Sequence, residues 1–224
     1  MRFYDVDIVI FDCDSTLSAI EGIDELARRA GIYDQLASLT TAAMEGKIKL
    51  EEIYRHRLDA IRPNRAEIEW LAQHYLDNIV PAADSVVADL QLAGKQVHIV
   101  SGGIRQAVIP LAAYLKIPEN HVHAVAVRFT PDGDYTGYDE TSPLSRSGGK
   151  KIVCAEIIGE QYNAVMIGDS ITDLEAAQDR VHFIGFGGVF HRPLVEKAAE
   201  DYIIAPGLHP LRQRLIRQKG AGVT

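Results

Sequence analysis

Three short apolar runs, each stopped by a polar or glycine-bearing turn, set the rhythm of this chain. Val6-Asp7-Ile8-Val9-Ile10-Phe11 ends at Asp12, Val97-His98-Ile99-Val100 ends at Ser101-Gly102-Gly103, and Ala164-Val165-Met166-Ile167 ends at Gly168-Asp169-Ser170. Runs of β-branched residues this short, with little polar alternation, predict strands buried on both faces, as in a parallel sheet. A helical pattern follows each turn. Strand, turn and helix repeated along a chain predict an α/β fold built on a doubly wound, Rossmann-like parallel sheet. In such a sheet the functional groups gather beyond the carboxyl ends of the strands, where Asp12, Ser101 and Asp169 are all expected to fall in one crevice.

Between the first run and the second lie about eighty residues with apolar positions at three- and four-residue spacing, including Gly22 to Ala30, Gln35 to Glu45 and Leu50 to Ala60. That is too much chain for one crossover helix. It predicts a helical cap over residues 18–83, closed near Pro81, on a core made of residues 1–17 and 84–224. Ala124 to Phe129, the turn Pro131-Asp132-Gly133-Asp134 and Tyr135 to Tyr138 predict a hairpin. The tail Gly220 to Thr224 is a short run of small residues.

Composition narrows the partners. The 224 residues are 47% hydrophobic and 24% charged, the balance of a globular protein with a substantial core. No apolar stretch approaches the roughly 18 to 20 residues of a membrane span, so no membrane partner is expected. The first seven residues carry two acids and no signal-like run, and the two cysteines, Cys13 and Cys154, show no disulfide or metal spacing; a cytoplasmic location is expected. A net charge of −8 disfavours nucleic acid, though local cations, backbone N–H groups or a metal can still hold a small anion.

The candidate chemistry begins with Asp12-Cys13-Asp14, two carboxylates at the mouth of the first strand. A lone D-x-D is commonly a turn or a cap. A second acidic cluster, Gly168-Asp169-Ser170-Ile171-Thr172-Asp173, ends another strand. Carboxylates gathered in one crevice repel unless a cation joins them, and hard oxygen donors suit Mg²⁺.

Asp12 to Leu17 matches D-x-D-x-[ST]-[LV], and on it the chain resembles the haloacid dehalogenase-like phosphohydrolase superfamily. Glu21 to Ala27, Ala43-Met44-Glu45-Gly46, Ser101-Gly102-Gly103, Gly137 to Thr141, Ser147-Gly148-Gly149-Lys150 and Gly185-Phe186-Gly187-Gly188 resemble its phosphoserine phosphatase branch, in collinear order over residues 8–204.

The resemblance implies an Mg²⁺-dependent phosphomonoesterase that hydrolyses O-phosphoserine, the last step of serine biosynthesis, acting as a monomer or homodimer. Asp12 is implied as nucleophile forming an aspartyl phosphate, and Asp14 as acid and then base. Mg²⁺ is implied at the Asp12 carboxylate, the Asp14 backbone carbonyl and the Asp169 carboxylate. Ser101, Gly102, Gly103 and Lys150 are implied to hold the phosphoryl group, with Thr172 hydrogen-bonding near it and Asp173 ordering the metal's surroundings and capping the next helix. Glu21 is implied to meet the serine ammonium, Arg57 the carboxylate, and Met44 with Leu50 the apolar wall. Two positions depart from the branch: Ser170 stands where glycine is usual, as in phosphatases of methylthio-sugar salvage, and Leu50 where an aromatic is common. They leave open another small phosphomonoester or transfer to an acceptor such as homoserine. A non-catalytic phospho-ligand module would be expected to lack the nucleophile or the metal aspartate, and both are present.

Overall fold

The computed structural model describes residues 2–44 and 48–217, with the side chains of 40–44 and 50 outside that description. β1 (Ile8–Phe11) is the centre of the sheet, and all four of its residues are buried. β2 (Gln96–Ile104) and β6 (Ala164–Gly168) both pair with it in parallel, Val9 standing beside Val97 and Val165. β3 (Val122–Val125) continues outward from β2, and β7 (Val181–Phe186) and β8 (Tyr202–Ile203) from β6. Among the described residues the order is β3-β2-β1-β6-β7-β8, all parallel. The chain winds outward one way from β1 and then crosses to wind outward the other way. The reversal falls between β1 and β6, where such sheets open a crevice.

Among the described residues four helices separate β1 from the core crossover: α1 (Gly22–Arg29), α2 (Tyr33–Met44), α3 (Leu50–Ile61) and α4 (Arg65–Asp77). α4 starts where Asn64 and Glu67 satisfy each other's backbone N–H groups, at 3.0 and 2.8 Å. α5 (Ala83–Leu92) then leads into β2, and α6 (Arg105–Tyr114) carries the chain on to β3. α7 (Gly149–Ile158) precedes β6; α8 (Ile171–Leu174), α9 (Pro193–Ala198) and α10 (Leu211–Leu215) complete the order. Apolar faces of α5, α6 and α7 join the sheet in one buried cluster that includes Val86, Leu90, Leu111 and Val153.

Two local expectations change. The second strand does not stop at Val100: β2 runs on through Ser101-Gly102-Gly103 to Ile104, with an irregular register against β3 between Val100 and Ile104. The small residues bend the strand without ending it. The hairpin's first strand is divided at Ala126, because Val122–Val125 completes the main sheet as β3 and only β4 (Val127–Phe129) pairs with β5 (Tyr135–Tyr138). Residue 45, the end of one expected helix, and the tail 220–224 lie outside the described residues.

Candidate active site

The ladder that builds the sheet also delivers the first carboxylate. The Asp12 N–H donates to the Ile167 carbonyl at 2.9 Å, extending the β1–β6 pairing one residue and holding Asp12 beside the end of β6. Just past it the chain turns sharply: the N–H groups of Thr16, Leu17 and Ser18 all reach the Cys13 carbonyl, and Ser15 takes a left-handed conformation at φ 54°. A non-glycine residue there costs about 1 kcal/mol or more and persists because its surroundings require it. Here the Ser15 hydroxyl donates to Glu21 Oε1 at 2.7 Å, tying the turn to the start of α1.

Five acids, of which Asp12, Asp169 and Asp173 are buried, meet two cations around this turn. Lys150, in the first turn of α7, lies 2.8 Å from Asp12 Oδ2 and 2.6 Å from Asp173 Oδ1. Asp173 also accepts the Ser170 N–H at 3.0 Å and the Ser170 hydroxyl at 2.6 Å, so it reaches back to close the start of α8. It can lie there because Gly168 has no side chain: a β-carbon at 168 would stand 2.2 Å from the Asp173 carboxyl. Arg192 Nε donates to Asp169 Oδ2 at 2.6 Å while its Nη2 reaches Glu21 Oε1 at 3.3 Å. Asp14 Oδ1 accepts from the Tyr75 hydroxyl at 2.6 Å and from the Gly22 N–H at 3.3 Å.

The balance of charge is negative, and it shows in the acidities. Burial, then neighbouring carboxylates, pushes Asp12, Asp14 and Asp169 up to about 7 and Glu21 up to about 8, against the opposing pull of Lys150 or Arg192. Burial alone would depress Lys150; Asp12 and Asp173 outweigh it and hold the ammonium well above its ordinary value. One carboxylate oxygen each from Asp12, Asp169 and Asp173 lies within 4.8 Å of the others. Buried hard oxygens with excess negative charge fit a divalent metal ion.

One pocket collects most of the expected residues: Asp12, Asp14, Glu21, Arg57, Ser101, Gly102, Gly103, Lys150 and Thr172 all line it. Asp169 and Asp173 stand behind Asp12, and the Thr172 hydroxyl shares a 2.8 Å hydrogen bond with Ser170. Ser170 itself is fully buried and is not among the residues that line this pocket. The side chains of Met44 and Leu50 lie outside the described residues.

Several contributors escaped the sequence. Asp24 pairs with Arg57 at 3.1 Å, both nearly buried, at 6% and 3% exposure. The Tyr54 hydroxyl donates to the Gly102 carbonyl at 2.9 Å, and Leu144 and Arg146 add to the pocket wall. Asp24 sits inside the Glu21–Ala27 segment and could have been found there. Tyr54, Tyr75 and Arg192 carry no local signature, since an aromatic on an amphipathic helix or an arginine before a proline is ordinary.

The pocket, its paired aspartates and its lysine belong to a phosphohydrolase-like α/β crevice. Residues 6–179 match the haloacid dehalogenase-like hydrolases, and the chain belongs to that family. Within it, the chain is 38% identical over 204 residues to phosphoserine phosphatase of Homo sapiens, covering 90% of each. It is 38% identical to phosphoserine phosphatase of Drosophila melanogaster over 88% of this chain and 74% of that one. Its fold superposes at a TM-score of 0.81, with 26% identity, on a solved structure described as a phospho-aspartyl intermediate analogue of phosphoserine phosphatase, covering 95% and 100% of the two chains. No helix among the described residues is long and apolar enough to cross a membrane.

Proposed function

We propose that this hydrolase cleaves O-phosphoserine to serine and phosphate, with Mg²⁺ as its metal, and that residues 18–83 act as a cap closing the crevice of the core. The observation that carries this reading is one pocket lined both by Asp12, Asp14, Ser101 and Lys150 and by Glu21 and Arg57. The first set suits a phosphoryl group. The second suits the two charged ends of an amino acid.

In the proposed reaction the Asp12 carboxylate attacks phosphorus and an aspartyl phosphate forms, replacing one very slow hydrolysis by two easier steps. Asp14, whose carboxyl is held near neutrality, gives its proton to the departing serine oxygen and takes one back from the water that cleaves the acyl phosphate. Lys150, the Ser101 hydroxyl and the N–H groups of Gly102 and Gly103 compensate charge on the phosphoryl oxygens. Asp12, the Asp14 backbone carbonyl and Asp169 would hold the metal, with Asp173 adjacent, and the bound ion would offset charge between nucleophile and phosphate. Arg57, pre-set by Asp24, would take the serine carboxylate. Glu21 would take the ammonium, which supplies the positive charge its buried carboxyl otherwise draws from Arg192. A cytoplasmic location is in keeping with two buried free thiols, Cys13 and Cys154.

The test is phosphate release by the purified protein with Mg²⁺ from O-phosphoserine, phosphoethanolamine and phospholactate, beside Asp12→Asn. O-Phosphoserine should be turned over far faster than the two truncated esters, and Asp12→Asn should retain less than a few per cent of the activity. Equal rates on all three would remove the serine assignment; an active Asp12→Asn would remove the nucleophile.

A further inference from the structure

Tyr75 reaches the acid–base group from a helix outside the sheet. It is fully buried on α4, and its hydroxyl fills the space beside Gly22, where a β-carbon would stand 2.0 Å away. That hydroxyl and the Gly22 N–H both donate to the same carboxyl oxygen, Asp14 Oδ1. The other oxygen, Oδ2, borders the phosphoryl cradle beside the Tyr75 hydroxyl: a β-carbon built on Gly103 would lie 3.6 Å from Oδ2, 3.4 Å from that hydroxyl and 3.2 Å from Ser101 Oγ. An oxygen already accepting two donors is a poor place for a carboxylic proton, which then resides on its partner.

We propose that Tyr75 is a positioning residue for proton transfer, occupying Asp14 Oδ1 so that the transferable proton sits on Oδ2, toward the leaving oxygen. This rests on the acid–base role given to Asp14 above. In the first half-reaction the Oδ2–H bond breaks and a serine O–H bond forms as the P–O bond to serine breaks. In the second, a water proton passes to Oδ2 while the water oxygen bonds to phosphorus and the Asp12–phosphorus bond breaks. Both halves balance without a further reactant.

Tyr75→Phe keeps the ring and removes the donor. The discriminating pair of substrates is O-phosphoserine and S-phosphocysteine, which share the amino-acid body but differ in the leaving atom. An alkoxide needs the proton; a thiolate leaves without it. Single-turnover release of serine from O-phosphoserine should slow about tenfold in Tyr75→Phe, the worth of one hydrogen bond, with KM within twofold of wild type. Single-turnover release of cysteine from S-phosphocysteine, which reports the first half-reaction alone, should be unchanged. Gly22→Ala, which displaces the hydroxyl instead of deleting it, should give the same selective loss and covers the case in which Tyr75→Phe folds poorly. Equal slowing of serine and cysteine release, or no slowing of serine release, overturns the proposal. Asp14→Asn separates the two layers: if it is inactive on O-phosphoserine while Tyr75→Phe matches wild type, only the role of Tyr75 falls. If Asp14→Asn turns over O-phosphoserine at the wild-type rate, the acid–base assignment falls and this proposal with it.

Discussion

Single residues matter here through what surrounds them. Lys150 is an unremarkable lysine by sequence, yet it is the cation that keeps Asp12 and Asp173 from facing each other unshielded, at 2.8 and 2.6 Å. Lys150→Met keeps most of the volume and removes the charge; kcat/KM should fall about 10²- to 10³-fold, the usual cost of deleting one preorganised electrostatic contact. Steady-state kinetics showing less than a tenfold loss would place Lys150 outside phosphoryl transfer. Arg57 carries a different load. A charge-assisted contact is worth roughly 1.5 to 3 kcal/mol, about 10- to 150-fold in rate, so Arg57→Ala should lose that much on O-phosphoserine. On phosphoethanolamine, which has no carboxylate to read, its activity should match that of the wild type. Proportional losses on both esters would mean that the Arg57–Asp24 pair supports the packing of α1 against α3 and does not read the substrate.

At the scale of elements, β2 combines a functional end with a vulnerable middle. Its carboxyl end carries Ser101-Gly102-Gly103 to the pocket, whereas His98 in its middle is 7% exposed, stacked on His121 at 3.9 Å between ring centroids, with Nδ1 3.4 Å from His123 Nε2. Burial first, then the neighbouring imidazoles, lowers His98 to about 3. The unfolded chain takes up this proton near pH 6.5 and the folded chain does not. Stability is therefore lost as pH falls below 6.5, by about 2 kcal/mol at pH 5. His98→Phe keeps a ring against His121 and removes both the proton site and a buried Nε2 that has no partner. Urea midpoints of wild type and His98→Phe should diverge, in favour of the variant, between pH 7 and pH 5. Curves that stay parallel across that range would show that His98 does not set the acid limit.

For the molecule as a whole, the crevice is a stability cost that a cation offsets. Asp12 and Asp169, raised to about 7, favour folding while protonated and oppose it once ionised, so without metal their contribution is lost as pH rises through 7. A divalent cation binding the ionised pair reverses that loss by linkage, about 2.7 kcal/mol at a hundred times Kd. The Tm gain from Mg²⁺ should thus be small at pH 5 and larger at pH 8, and chelation should abolish turnover. A Tm indifferent to Mg²⁺ at pH 8, with activity intact in EDTA, would remove the metal from this reading.

The sequence by itself determined the elements whose chemistry is local. β1 is legible because Ile8-Val9-Ile10-Phe11 can be stable only with both faces covered, and Asp12 and Asp169 because they end such runs in one kind of sheet, with Asp14 two residues past the first. Helices α1, α2 and α3 are legible in apolar spacing, whereas α4 is not among the segments that spacing marks. Tertiary structure alone decided what depends on several elements meeting. Tyr75 becomes a partner of Asp14 because α4 lies against the start of α1 at Gly22, and Arg192 bridges Asp169 to Glu21 because the end of β7 stands beside the end of β6. The route of β2 past Val100, and the recruitment of Ala124 and Val125 from the expected hairpin into the sheet, depend on pairing between strands apart in the chain. Periodicity and capping act within about a turn of chain, and carry no record of which distant segment will supply the partner.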